Sequence, residues 1–463
     1  MPFRLRQISP DDKLDQYLMI PAFLDRYPVE TVGALLSECR AWEQRDRKLN
    51  MLTLIYEIMA FSLLPRHNSV EVLEELASGL RYVWPDEKPF PMVTKGAISQ
   101  RRKQLPVTVM RLLFRRSCRP LATIATKGAF AGRLRIMAID GTTQDVAEWP
   151  DNALHFGRIS SGPAASAFPQ MRAVYLAECG THAVTDAVLA RCGASETTMA
   201  WELLRSIEPE MLVTMDKLLF SARFFAAIGG KGAHALSRLE STMLVRKPAL
   251  QDLLPDGSWL FTISPKTARK LAMPLRVRII PYRISAPEVP GYQQEQRLVT
   301  TLLDPEEFSA QELVDLYHER WEVELIIDEQ KTHQRLSQEP LRSRTPQGCY
   351  QEMYGLLMAH YAIRALMHEA AVQAEVNPDR LSFTHAVHVV CRSLVHFGQT
   401  DPLDHPALKR RLLIHLREQM LSPRILRFVP RVVKRPLSSF RRKRWWHQDV
   451  HLKGLSVSRI FLI

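Results

Sequence analysis

Cysteine is sparse and scattered: Cys39, Cys118, Cys179, Cys192, Cys349 and Cys391 form no C-x-x-C pair and no group with histidine at zinc spacing. A disulfide framework and a structural zinc are therefore not expected. A membrane helix needs about 20 apolar residues, whereas the best run here, Met51 to Leu64, is short and carries Glu57. The opening MPFRLRQISPDDKLDQ holds no apolar signal region, so the default compartment is the cytoplasm, with no membrane partner. There is no internal repeat and no extended low-complexity segment. Acidic residues are outnumbered, 49 against 62 Lys and Arg, giving a formal net charge of +13. Such a surface concentrates polyanions, which makes nucleic acid the leading partner beside the plainer reading of an inert basic surface. With 46% hydrophobic and 24% charged residues in 463, the bulk of the chain should fold, with room for two to four domains.

From about Val29 to Leu121 apolar residues recur at helical spacing in MLTLIYEIMAFSLL, SVEVLEELASGLRYV and VTVMRLLF, which reads as an all-α module. Within it, Thr94 suits the N-cap of a short helix carrying Lys95, Gln100, Arg101, Arg102 and Lys103. That helix is a candidate DNA contact or a solvated basic face. After Gly132 the texture turns to short β-rich runs, LRIMAID, MRAVYLAEC, THAVTDAVLA, EMLVTMD and STMLVRK, with helices expected near Ser195 to Ile207 and Ser221 to Ala235. A second β-rich passage from about Pro248 to Asp304, containing SWLFTISP, LRVRIIPYRI and QRLVTTLL, reads as an insertion. Long helices follow from Ser309 to about Gln334 and from about Pro346 to Val372, and the remainder looks helical, ending in the basic RFVPRVVKRPLSSFRRKRWW. The resulting division is 1–130, 131–247, 248–308, 309–375 and 376–463.

Two of the apolar runs end in aspartate, Asp140 and Asp216, at the strand ends where α/β sheets build their sites. Asp145 and Asp151 follow closely, but Asp140 terminates the apolar strand. Phosphodiester chemistry uses two divalent ions about 4 Å apart to activate one oxygen and stabilise another, and hard ions such as Mg²⁺ want carboxylates. A third acid would come from 311-QELVDLYHERWEVELIIDEQKTHQ-334. At roughly 100° per residue, Tyr317, Arg320, Glu324 and Lys331 share about 60° of one helix face. That face offers a metal ligand in Glu324, cations in Arg320 and Lys331 for phosphate oxygens, and a phenol in Tyr317 for a phosphate hydrogen bond. Asp328 lies close to the same face, so geometry alone leaves it open, as it does a merely solvated charged helix.

The spacing Tyr317-x-x-Arg320-x-x-x-Glu324-x-x-x-x-x-x-Lys331 resembles the Y-R-E-K signature of the insertion element four family of transposases. Upstream, 136-IMAIDGTTQDV-146 is similar to the family's first-aspartate segment, and 168-FPQMRAVYLAECGTHAV-184 to the strand pair after it. LRSRTPQGCYQEMYGLLMAHYAIR resembles the continuation beyond the catalytic helix, and residues 30 to 125 resemble the N-terminal helical domain. The resemblance implies an α/β fold: a ribonuclease H-like catalytic core interrupted by a mainly β insertion, with an all-α N-terminal domain and a helical basic C-terminal region. It implies a DDE triad on Asp140, Asp216 and Glu324 binding Mg²⁺ or Mn²⁺, two ions per site. It further implies cut-and-paste transposition through a DNA hairpin, acting on terminal inverted repeats and target DNA, by a homodimer once DNA is bound. In the family an aromatic side chain of the insertion stacks on a flipped base, for which Trp259 is the candidate; a Trp in an apolar strand also suits a core. One departure from the pattern is Met215-Asp216-Lys217-Leu218-Leu219-Phe220, where the family usually has Arg-Gly-Phe after the aspartate. The rival readings are a ribonuclease H-like nuclease or resolvase, and a catalytically inactive DNA-binding derivative.

Overall fold

The computed structural model describes residues 23, 25–45, 49–86, 90, 93–161, 164–239, 249–265, 271–284, 295–335, 339–422 and 460–462. The run STMLVRK and the basic stretch 427–446, with Trp445 and Trp446, lie outside them. No helix among the described residues is long and apolar enough to cross a membrane.

The helical first part comprises α1 (Val29–Glu38), α2 (Met51–Ala60), α3 (Ser69–Arg81), α4 (Lys95–Gln104) and α5 (Val107–Ser117). Local chemistry sets where they begin. Asn50 accepts from Thr53 N, Asn68 and Glu71 form a reciprocal capping box, and Thr94 accepts from Ala97 N, each satisfying amide groups that a helix start leaves open. The apolar sequence of α2 is buried on nearly all sides, as a helix without a polar face must be.

The sheet is built by β1 (Leu134–Asp145), β2 (Gln170–Glu178), β3 (Ala183–Arg191), β4 (Met211–Met215) and β5 (His234–Arg238). Their spatial order is 3-2-1-4-5: β1, β2 and β3 are antiparallel neighbours, whereas β4 runs parallel to β1 and β5 parallel to β4. This is the ribonuclease H-like core. The insertion contributes β6 (Trp259–Ile263), β7 (Leu275–Ile284) and β8 (Gln296–Thr300). It does not stand apart from the core: β8 pairs with β5, β7 with β8 and β6 with β7, all antiparallel, so the sheet simply continues. The fully buried Arg278 anchors it, donating to Ser258 Oγ at 2.8 Å and Phe308 O at 2.6 Å and pairing with Asp256. Asp256 in turn accepts from Ala310 N at 2.9 Å.

Alternation along β1 splits the interior into two apolar layers. Ile136 and Ala138 join a cluster containing the N-terminal helices, α10 (Glu322–Asp328) and α11 (Pro346–Gln373); Met137 and Ile139 join one with α7 (Glu196–Glu202) and α8 (Ala222–Gly229). Further α-helices among the described residues are α6 (Pro150–Phe156), α9 (Ala310–His318), α12 (Phe383–Gln399) and α13 (His405–His415). Because α2 packs on α11, the first and last helices share one core with the sheet. The helix expected to reach Ala235 stops at Gly229, and His234 already begins β5; Gly232, with φ 74°, turns the chain out of it while Ala233 N donates back to Ile228 O. The expected helix to Gln334 is broken into α9, a 3₁₀ turn at Glu319–Trp321, α10 and a π turn at Glu329–Gln334.

Candidate active site

Ile139 and Met215 are the last pair in the parallel β1–β4 ladder, so Asp140 and Asp216 are the next residues on neighbouring strands. Strands lie about 4.8 Å apart, which brings these carboxylates side by side at the sheet's edge. Asp140 is not the end of its strand as expected; β1 runs on to Asp145, paired with β2. What ends at Asp140 is the partnership with β4. Asp140 Oδ1 accepts from Gly141 N at 2.8 Å and Asp216 Oδ1 from Lys217 N at 2.7 Å. The unusual residues after Asp216 form a 3₁₀ turn, Lys217–Leu219, capped by that carboxylate, and Ser221 then caps α8.

Helix α10 packs on the face of β1 that carries Ile136, Ala138 and Asp140. From its approach the Arg320 guanidinium, 7% exposed, places Nη1 3.6 Å from Asp140 Oδ2 and Nη2 3.4 Å from Glu324 Oε1. Burial opposes its charge, but Tyr317, Asp140, Glu324 and Asp216 outweigh that and hold it above its ordinary range. Burial pushes the Asp140 carboxyl up to about 6, against Arg320 and the Gly141 N–H, with Glu324 and Asp216 adding to the rise. Three carboxylates gathered around a single cation have the donor set and the excess negative field that a divalent ion fits.

Lys331, in the π turn, donates to Thr142 Oγ1 at 2.7 Å and to Thr143 O at 2.6 Å, just beyond Asp140 on β1. A π turn spaces side chains differently from the regular helix assumed from sequence, and such turns recur at functional sites. Tyr317 is buried, 5% exposed, with Arg320 over its ring at 6.0 Å. Its ring lies against the Arg320 guanidinium and so supports it. Asp328 faces elsewhere: it accepts from Thr332 Oγ1 at 2.8 Å and lies 3.4 Å from His333 Nε2. Asp145 accepts from Gln170 Nε2 at 2.7 Å, and Asp151 sits in the first turn of α6.

Trp259 is 7% exposed in the apolar layer behind the sheet, near Arg297, so this conformation offers no ring for a base to stack on. In α4, Arg101 turns inward to Glu43 and Leu49 O, and Arg102 to Ser343 Oγ and Gly348 O. They fasten the helix to the body of the protein, whereas Lys95, Gln100 and Lys103 are exposed. Sequence spacing also missed Glu196, whose carboxylate packs against Gly141 while pairing with Arg172 at 2.9 Å.

Carboxylates on two adjacent parallel strands, faced by a helix that brings a third, define a ribonuclease H-like enzyme of phosphodiester chemistry. The chain belongs to the insertion element 4 family of DDE transposases: residues 131–362 match the family described as Transposase DDE domain, and residues 19–115 match Insertion element 4 transposase N-terminal. It is 27% identical over 414 residues to the transposase InsG for insertion sequence element IS4 of Escherichia coli (strain K12), covering 88% of this chain and 90% of that one. It is 28% identical over 145 residues to the putative transposase InsZ of the same organism, covering 31% of this chain and 48% of that one. Among solved structures, the piggyBac transposase synaptic complex with hairpin DNA matches with a TM-score of 0.45 and 13% identity, over 91% of this chain and 86% of that chain. The protein is thus an insertion-sequence DDE transposase, a DNA-binding enzyme of a family that generally depends on divalent metal.

Proposed function

We propose that Asp140, Asp216 and Glu324 are the catalytic carboxylates and hold two Mg²⁺ or Mn²⁺ ions at the ends of the transposon DNA. The observation that carries this is Arg320, buried between Asp140 and Glu324 beside Asp216. Bound there, the ions supply activation of the attacking oxygen and neutralisation of charge on the leaving one. Arg320 is then free to turn from the carboxylates to a phosphate oxygen, with Tyr317 and Trp321 holding its plane. Lys331 reaches the phosphate backbone from the far side of the Thr142–Thr143 edge. Exposed Lys95, Gln100 and Lys103 add contacts to duplex DNA.

The route is cut and paste in the bacterial cytoplasm. Water nicks each inverted-repeat end, the freed 3′ hydroxyl attacks the opposite strand to make a hairpin, and the reopened end joins target DNA. Pairing two ends calls for a homodimer on DNA. The test is cleavage of a labelled duplex carrying the element's own end with Mg²⁺. Nicking at the end followed by a hairpin product supports the reading; nicking without end specificity indicates a nuclease, and end binding without cleavage indicates an inactive DNA-binding derivative.

A further inference from the structure

His182 lies in the turn between β2 and β3 with a left-handed backbone, φ 59°, and a fully buried side chain. Carboxylates meet both ring nitrogens. Nε2 is 2.6 Å from Glu322 Oε2 and 3.3 Å from Asp379 Oδ1, and Nδ1 is 2.9 Å from Glu329 Oε1. One ligand atom each from His182, Glu322 and Asp379 all lie within 4.8 Å of one another. An imidazole nitrogen carries at most one proton, so Nε2 can donate to one of the two carboxylates while the pair repel each other. A divalent cation would satisfy all three groups at once.

The Nδ1 side has the arrangement that orients metal-binding histidines: a carboxylate accepts from Nδ1–H, which turns the Nε2 lone pair toward the ion. That carboxylate, Glu329, is itself held by His360 Nε2 and Arg364 Nε, each at 3.0 Å. Arg364 Nη2 also lies 2.5 Å from His182 Nδ1. Donation from Arg364 to Nδ1, with Nε2–H on Glu322, is the arrangement without an ion. Nearby, the buried Cys179 thiol is pushed well above its usual range, by burial first and then by Glu319, Glu322 and Asp379, as expected where carboxylates crowd.

We propose that His182 Nε2, Glu322 and Asp379 bind one divalent transition-metal ion, in a site separate from Asp140, Asp216 and Glu324. An imidazole with two carboxylates favours Zn²⁺ or Mn²⁺, since Mg²⁺ and Ca²⁺ take oxygen ligands. The ion joins the β2–β3 turn, the first turn of α10 and the 3₁₀ turn Pro378–Arg380 that follows α11. It therefore fixes α10 two residues before Glu324, which makes it a positioning device; only that consequence rests on the proposed triad.

The test is metal content of the full-length protein, stripped with chelator and dialysed against Zn²⁺ in excess Mg²⁺, which occupies oxygen-only sites. One Zn²⁺ per chain is expected in the intact protein and in Asp140→Asn, with loss in Asp379→Asn and His182→Gln. Zn²⁺ should also raise the unfolding temperature of the intact protein and of Asp140→Asn but not of Asp379→Asn; because Asp379 is at the rim, its variant serves where His182→Gln fails to fold. Absence of bound Zn²⁺, retention by Asp379→Asn, or loss in Asp140→Asn would each overturn the proposal, the last by assigning the ion to the carboxylate triad. No outcome depends on cleavage, so failure of the proposed triad would be visible separately.

Discussion

Arg320 Nη1 stands 3.6 Å from Asp140 Oδ2 at a point where its side chain is nearly closed off from solvent. A guanidinium held this way carries charge that lysine cannot reproduce in a planar fork. Arg320→Lys should keep the fold and lower the rate of end cleavage by about 10²-fold, more in rate than in DNA affinity, as single-turnover kinetics beside binding isotherms would show. An equal loss of binding alone would place Arg320 outside the chemistry.

Asp140 gives a pH dependence whose sign follows from its environment. Its carboxyl rises to about 6 in the folded chain from about 3.9 unfolded. Between those values the folded state binds more protons, so stability falls as pH rises through the window, and the full cost is present above it. In chelator, Asp140→Asn should therefore stabilise the protein at neutral pH, on the order of 2 kcal/mol, with the gain vanishing near pH ~4. Denaturant melts across that range measure it; a constant difference would contradict the cause.

Gly141 and Glu196 should behave as a coupled pair. A Cβ at Gly141 would lie 2.8 Å from Glu196 Oε2, and Arg172 restrains that carboxylate. Gly141→Ala should cost about 1 kcal/mol, and Glu196→Ala should relieve most of it in the double variant. Additive losses would show that the crowding is absent.

The basic helix α4 divides into two roles. Arg102→Ala removes donors to Ser343 Oγ and Gly348 O and should destabilise the fold by about 2 kcal/mol. Lys103→Ala should leave stability within about 0.5 kcal/mol and reduce the salt dependence of DNA binding by about one unit of slope. Urea melts and binding at several salt concentrations separate them.

The fold was legible where local signals were strong. The helical spacing in SVEVLEELASGLRYV and the apolar β-rich runs LRIMAID and EMLVTMD each state their element, and one register places Asp140 beside Asp216. Helical spacing put Arg320 and Glu324 on one face, which the packing bears out. It could not find the π turn at Lys331, because periodicity assumes a regular helix. Nor could it show that Arg102 points inward, since its partners lie near residue 350, or that the insertion continues the main sheet through β8 and β5. The cluster around His182 was invisible for the same reason: its members come from four separated stretches of chain. Sequence left Trp259 open to both a base and a core, and in the fold its ring lies in the apolar layer.

The most direct measurement is end-specific nicking in Mg²⁺ by the intact protein, Glu324→Ala and Asp328→Ala. Loss of nicking in Glu324→Ala, by about 10³-fold or more, with near-normal activity in Asp328→Ala, is what the geometry of Arg320 requires. Nicking that survives Glu324→Ala and disappears in Asp328→Ala would contradict it.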